Sequence, residues 1–290
     1  MASAELRLIR RRIRSVQSTM KITRAMELIA ASRIVRAQQR VVRSKPYVAK
    51  LAEVIESLGG AASARGHLLL ATRPLRTVGV VVVGSDRGLA GSYTTNVIRM
   101  AEHRVTELRR TGVEFRLYLV GKKAQTYFRY RGYPIERVFL GVTDTPGYGD
   151  ARAISATAVA DYVEARVDAV EIFTTSYVSA LTQTATRIEL LPVRAPTPTQ
   201  GVAAGYSYEP DPEEILGRLL PRYMEATVFG ALLEASASEH AARRRAMKAA
   251  TENAQDLVRV LARVANQARQ AEITTEISEI VGGAEALRTG

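Results

Sequence analysis

The sequence contains no cysteine and no tryptophan, and only three histidines among its 290 residues. The lack of cysteine excludes disulfides, thiolate metal sites and thiol nucleophiles. His67, His103 and His240 are too scattered for a dedicated transition-metal site, so no metal is expected. The longest apolar run, around Val78–Val83, is far short of the ~20 residues that a membrane span needs. No signal-sequence pattern opens the chain, so we expect it to stay in the compartment where it is made.

Acidic residues are scarce only at the start of the chain. The whole sequence has 41 Lys and Arg against 29 Asp and Glu, a net charge of +12. Residues 1–50 hold thirteen Lys or Arg and two Glu, a net charge of +11, and the rest is nearly neutral. Such a basic segment suits contact with an acidic partner, and a nucleic-acid-binding protein is one reading of it.

The N-terminal segment, residues 1–58, has the apolar spacing of one long helix. A stripe runs from Leu6 to Met20 and returns from Ile34 to Leu58, while Ile22, Met26 and Ile29 lie out of phase with it. Pro46 predicts a bend or a local break, and the glycine pair that follows residue 58 predicts the end of the helix.

The C-terminal segment, residues 211–283, has a matching pattern. Asp211 and Pro212 predict a capped helix start, Pro221 predicts the end of a first short helix, and Gly282-Gly283 predict the end of the second. Long helices with one-sided apolar stripes cannot bury those stripes alone. The simplest arrangement is an antiparallel coiled coil of the two terminal segments.

Between the helical segments, residues 77–193 alternate between strand and helix patterns. This alternation predicts a Rossmann-like, three-layer α/β domain with a mostly parallel sheet, inserted between the halves of the coiled coil. The predicted strands are 77–84, 113–120, 133–140, 168–175 and 187–193, and the predicted helices are 94–110, 122–131 and 151–166, the last with Asp150 as its cap.

No catalytic set and no cofactor site are predicted from the residue types. Gly84–Gly91 follows the first predicted strand, but its spacing is not the dinucleotide fingerprint, so a tight turn is favoured over a nucleotide-binding loop. Glu239 and His240 are read as a solvated helix face. Residues 122–131 mix basic and aromatic side chains, which suits RNA stacking but is explained better by a half-buried amphipathic helix.

Four motifs, spread in order over the whole chain, resemble those of the γ subunit family of F-type ATP synthases. They are Met20–Ser32 (MKITRAMELIAAS), Ser85–Gly91 (SDRGLAG), Ala246–Ala254 (AMKAATENA) and Ala268–Gly283 (ARQAEITTEISEIVGG).

The resemblance implies a non-catalytic rotor shaft, whose terminal helices turn inside an α3β3 ring and couple proton flow to ATP synthesis or hydrolysis. The α/β body is then expected to meet the ε subunit and the c-ring, with membrane association only through partners at the cytoplasmic face of a bacterial plasma membrane. Position by position, the resemblance assigns ring contacts to Lys21, Met26, Arg243, Gln270, Thr274 and Glu276, and a foot on the c-ring and ε to Tyr206 and Glu209.

Overall fold

The computed structural model describes residues 2–59, 67–193 and 212–289, and Asp211, Tyr206 and Glu209 lie outside them. The chain divides into two units, a terminal unit (Met1–Ile29 with Arg244–Gly290) and a central unit (Ala30–Arg243). In chain order the elements are α1 (Ala2–Gly59), β1 (Thr77–Val83), α2 (Tyr93–Arg110), β2 (Glu114–Val120), α3 (Lys122–Tyr130), β3 (Ile135–Phe139), α4 (Tyr148–Val163), β4 (Ala169–Tyr177), β5 (Gln183–Leu191) and α5 (Pro212–Thr289).

The central unit contains a five-stranded sheet of order β3-β2-β1-β4-β5. The first four strands are parallel, and β5 pairs antiparallel with β4 at one edge. Val78–Val83 of β1 are all buried, because this strand lies in the middle of the sheet with side chains covered on both faces. The mostly parallel sheet predicted from the sequence is therefore confirmed.

Helices cover both faces of the sheet and make three layers, as predicted. One face packs against α2 and α3, with Val97, Val105 and Phe128 in its core. The other packs against α4 and against the parts of α1 and α5 that lie in the central unit. In α3, Ala124 and Phe128 are buried and the remaining side chains are half-buried or exposed, which confirms the amphipathic reading of residues 122–131.

The two long helices run antiparallel to each other in the central unit. Ala37 and Val41 of α1 pack against Leu233 and Ala237 of α5, whereas Ile55 and Leu58 share a core with Leu216 and Leu220. Higher residue numbers on one helix therefore meet lower numbers on the other. Within the terminal unit, the hydroxyls of Thr23 and Thr251 make a buried hydrogen bond of 2.8 Å.

The helix ends predicted at Pro221 and at Gly282-Gly283 are wrong, because α5 continues through these residues. At Pro46, α1 also continues, which excludes the local break predicted there as the alternative to a bend. A proline inside a helix costs about 3 kcal/mol and a glycine about 1 kcal/mol. At Pro221 the burial of Leu216, Leu220 and Met224 offsets this cost. After Gly283 the good helix formers Ala284–Leu287 continue the helix.

The start of α4 also differs from the sequence prediction. The helix begins at Tyr148, so Asp150 is its third residue and not its cap. The carboxylate of Asp150 still satisfies the helix start, because it accepts a hydrogen bond of 2.8 Å from the backbone N–H of Gly147. Among the described residues, no helix has a stretch that is long and apolar enough to span a membrane.

Candidate functional site

A buried polar cluster lies on α5 at the end of the central unit. Glu239, His240 and Arg243 have exposed fractions of only 1%, 2% and 7%. Glu239 and Arg243 are four residues apart on one helix face and form an ion pair. The solvated face predicted for Glu239 and His240 is therefore wrong, since loops of the α/β domain cover this side of the helix.

One of these loops is Gly84–Gly91, which follows β1. Its Gly88 carbonyl oxygen accepts a hydrogen bond of 3.4 Å from Nη2 of Arg243. Ala90 and Tyr93 pack against Ala242 on the same helix. The loop is a tight turn, with positive φ angles at Leu89 and Gly91, and its packing role is to hold α5.

The second loop, residues 141–147, reaches both long helices through Asp144. The carboxylate of Asp144 accepts hydrogen bonds from Nη1 of Arg33 on α1. Its backbone oxygen accepts one of 3.0 Å from Oγ of Ser236 and contacts Nε2 of His240 at 3.2 Å, both on α5. We call Arg33, Gly88, Asp144, Ser236, Glu239, His240 and Arg243 the helix joint.

The protonation states in the helix joint follow from burial and charge. Burial lowers the pKa of His240, although Asp144 opposes this shift, so the imidazole is neutral at neutral pH. A carbonyl oxygen can only accept and a guanidinium can only donate, so Nε2–H donates to Asp144 and Nδ1 accepts from Arg243 at 3.4 Å. This tautomer satisfies both ring nitrogens.

The two acids of the joint shift in opposite directions. Burial raises the pKa of Asp144, but the hydrogen bond and charge of Arg33 outweigh it, and the pKa lies below its usual value. Burial raises the pKa of Glu239 above its usual value in spite of Arg243. One oxygen of Glu239, Oε2, is buried without a hydrogen-bond partner in the described part of the chain. The buried carboxylate of Glu239 is therefore stabilised mainly by its ion pair with Arg243.

The contact residues assigned by resemblance lie in different environments. Lys21, Gln270, Thr274 and Glu276 are exposed in the terminal unit, and Met26 is half-buried there. Arg243, in the central unit, is buried and already paired within the chain. Ring contacts through these residues stay predictions, and those of Tyr206 and Glu209 fall outside the described residues.

The terminal unit also exposes large apolar side chains, including two of the three out-of-phase residues of α1. Ile22 is 59% exposed and Ile29 is 54% exposed. The C-terminal part of α5 adds Val260, Ile273, Ile277, Ile280 and Val281. Of the described residues, no group of three His, Asp or Glu side chains could hold a metal ion.

Sequence reasoning missed Arg33, Asp144, Glu239 and His240 as one cluster. The available signals were the Glu-to-Arg spacing of four residues and the small side chains around it, which let loops approach α5 closely. Neither signal says which loop approaches. That information lies in the topology, which brings residues about 100 positions apart into contact.

Comparison with known proteins places these features in a family. Residues 5–287 match the family model described as ATP synthase. The ATP synthase gamma chain of Parafrankia sp. strain EAN1pec is 47% identical over 297 residues and covers 99% of both chains. That of Acidothermus cellulolyticus is 46% identical and covers 98% of this chain and 97% of its own length.

Solved structures agree in fold. A chain of the Euglena gracilis mitochondrial ATP synthase (OSCP/F1/c-ring, rotational state 3) has a TM-score of 0.66 at 16% identity and covers 99% of this chain and 96% of its own length. A chain of the Tetrahymena thermophila mitochondrial ATP synthase (central stalk/c-ring) has a TM-score of 0.60 at 24% identity, with 79% and 99% covered.

These likenesses confirm the predicted fold class of long terminal helices with an inserted α/β domain. They give no support to a nucleic-acid-binding protein. This chain therefore belongs to the family of ATP synthase gamma chains, the central-stalk subunits of F-type ATP synthases.

Proposed function

We propose that this chain transmits torque between transmembrane proton flow and ATP synthesis or hydrolysis on a ring of α and β subunits. The terminal unit contacts the ring, and the α/β domain contacts the ε subunit and the c-ring through the segment that includes Tyr206 and Glu209. Contact with these partners keeps the chain peripheral, at the cytoplasmic face of a bacterial plasma membrane. The similar solved structures come from the central stalk with c-ring and from the OSCP/F1/c-ring parts of mitochondrial ATP synthases.

The observation that carries the proposal is the exposed apolar surface of the terminal unit. Ile22, Ile29, Val260 and Ile277 are each about half exposed, although each side chain is large and apolar. Large apolar side chains that stay exposed along both helices suit an interaction site. A protein ring that surrounds the two helices would cover this surface.

The charges of the terminal unit favour contacts that re-form easily. Residues 1–29 hold seven Lys or Arg and two Glu. Arg10, Arg11, Arg14 and Lys21 are exposed and form no ion pair with other described residues, so they are available to acidic side chains of a partner. Exposed pairs are worth about 0–1 kcal/mol each, so a turning shaft can exchange one for another without a deep energy minimum.

The asymmetry of one shaft supplies the mechanism. A single chain presents different faces to equivalent catalytic subunits, and each face stabilises a different conformation of the subunit that it touches. Rotation changes which subunit meets which face. The described residues therefore need no catalytic groups of their own for this role.

Polar contacts at the C-terminal part of α5 give the first test. Gln270 and Thr274 are exposed, and the Thr274 hydroxyl donates only to the Gln270 backbone oxygen at 2.9 Å. We expect the double substitution Gln270→Ala with Thr274→Ala to lower ring-dependent ATPase activity about 3- to 10-fold, from the loss of a hydrogen bond worth about 1 kcal/mol. The measurement is steady-state ATPase activity of the reconstituted complex.

The control is Gln267→Ala with Thr275→Ala. It changes the same residue types on the same helix, and the Thr275 hydroxyl makes the same kind of bond, to the Ala271 backbone oxygen at 2.9 Å. We expect the control to retain activity and both variants to keep the helix content of the parent chain. Equal activity of the two double variants would reject these two ring contacts.

A further inference from the structure

We propose that Asp144 is a positioning residue that locks both long helices to the α/β domain, so that twist in the helices turns the domain. This inference rests on the proposed rotor function, but it concerns contacts within the chain. It assigns a mechanical role to a residue in the 141–147 loop.

Asp144 joins three parts of the fold, namely α1, α5 and the loop that carries it. Its carboxylate accepts hydrogen bonds from Arg33 on α1. Its backbone oxygen contacts Oγ of Ser236 at 3.0 Å and Nε2 of His240 at 3.2 Å on α5. The loop that carries Asp144 connects β3 to α4, so it belongs to the α/β domain itself. One residue thus fixes both helices to one loop.

The helix joint lies where both long helices enter the central unit. The central unit begins at Ala30 on α1 and ends at Arg243 on α5. Arg33 lies within one helical turn of Ala30, and His240 lies within one turn of Arg243. The contacts of Arg33 and His240 with Asp144 therefore lie within the first helical turn of the central unit on both long helices.

The hydrogen bonds of Asp144 differ in kind from the apolar contacts between the long helices. Ala37, Val41, Leu233 and Ala237 form an apolar cluster between the helices. Apolar attraction is non-directional, so this cluster resists the roll of a helix only through the packing of its side chains. Hydrogen bonds weaken steeply when their angle changes, and those to charged groups are about twice as strong as neutral ones. The bonds of Asp144 therefore add a directional resistance to rotation that the apolar cluster lacks.

The loop holds α1 at a second point, which limits rotation further. Nη2 of Arg40 donates to the backbone oxygen of Pro146. Arg33 and Arg40 are seven residues apart, two helical turns, so both face the same side of α1. With two anchors on one side, α1 can neither roll nor slide past the loop without breaking a hydrogen bond.

The test uses the assembled ATP synthase with its ring fixed to a surface and rotation stopped. Because the chain has no cysteine, Arg110→Cys at the exposed end of α2 gives a single site for an optical probe on the α/β domain. The angular fluctuation of the probe reports torsional stiffness. We expect Asp144→Asn, which keeps the backbone oxygen, to roughly double the angular variance, because the side chain then accepts from Arg33 without a charge and the bond is weaker.

Two further variants make the outcome decisive. Glu136→Gln removes a carboxylate from the same domain, in an exposed ion pair with Arg116 at 2.9 Å, and is expected to leave the variance unchanged. Arg33→Gln breaks the Asp144 bond from the helix side and replaces Asp144→Asn if that variant does not assemble. A lowered melting temperature with unchanged angular variance would overturn the positioning role. Absence of ATP-driven rotation in the parent complex would instead reject the rotor function.

Discussion

Replacement of Arg243 by methionine is expected to lower the free energy of unfolding of the full chain by about 3–5 kcal/mol. The substitution keeps most of the side-chain volume but leaves Glu239, which is 1% exposed, without the one cation that it pairs with in the described part of the chain. One carboxylate oxygen of Glu239 already lacks a hydrogen-bond partner among the described residues. Chemical denaturation of the purified chain measures the loss.

The loss is expected to depend on pH in a defined direction. Burial already raises the pKa of Glu239 above the usual 4.5 and Arg243 opposes this shift, so removal of Arg243 raises the pKa further. A carboxyl whose folded pKa is raised binds more protons in the folded state than in the unfolded state. The unfolding free energy of Arg243→Met should therefore fall as pH rises above about 4.5 through the folded pKa.

A matched control separates burial from pairing. Glu214 and Arg218 have the same residue types and spacing on α5, but the side chain of Arg218 is 80% exposed. We expect Arg218→Met to cost at most about 1 kcal/mol. We expect Glu239→Gln combined with Arg243→Met to recover most of the lost stability, because no charge is then left buried. Similar losses for Arg218→Met and Arg243→Met would contradict the account.

Gly121→Ala is expected to destabilise the chain by about 3 kcal/mol, from backbone strain and overpacking together. Gly121 begins the turn from β2 into α3 with φ of +94°, a conformation that favours glycine. A Cβ atom there would lie 2.8 Å from the backbone carbon of Ser85, in the loop that holds α5. Because backbone cannot move aside as a side chain can, the loop itself must shift.

Gly112→Ala is the control for this prediction. Gly112 also has a positive φ, +74°, but no atom lies within 4 Å of the added methyl group. Only backbone strain remains, so we expect a cost of about 1 kcal/mol. Thermal and chemical unfolding of both variants check the difference. If Gly112→Ala destabilises the chain as much as Gly121→Ala, contact with Ser85 is not the cause.

Local patterns in the sequence predict most of the fold. The β-branched run of β1 and the strand–helix alternation predict the sheet and its three layers, because both depend on neighbours in sequence. Pro221 misleads, because local propensity is a few kcal/mol at most and burial of the flanking residues overrides it. Gly282 misleads, because the good helix formers that follow it continue the helix. Whether burial is available depends on the partner helix, which local patterns do not specify.

The candidate site, like the fold, is predictable from the sequence only in part. Motifs near Lys21, Arg243 and Gln270 identify the family, and exposed apolar residues such as Ile22 are visible as breaks in the helical stripe. The helix joint is not visible, because Asp144 stands in a Pro/Gly loop and resembles any turn residue. Its role comes from loops that meet both long helices, and these contacts exist only in the folded topology.

Reconstitution with a catalytic ring tests the central claim most directly. The full chain is mixed with separately purified α and β subunits of the same enzyme, and the isolated complex is examined for composition and ATPase activity. The rotor function predicts one copy of the chain in each ring, with ATPase activity well above that of the ring alone. A chain that neither joins the ring nor stimulates it would contradict the claim.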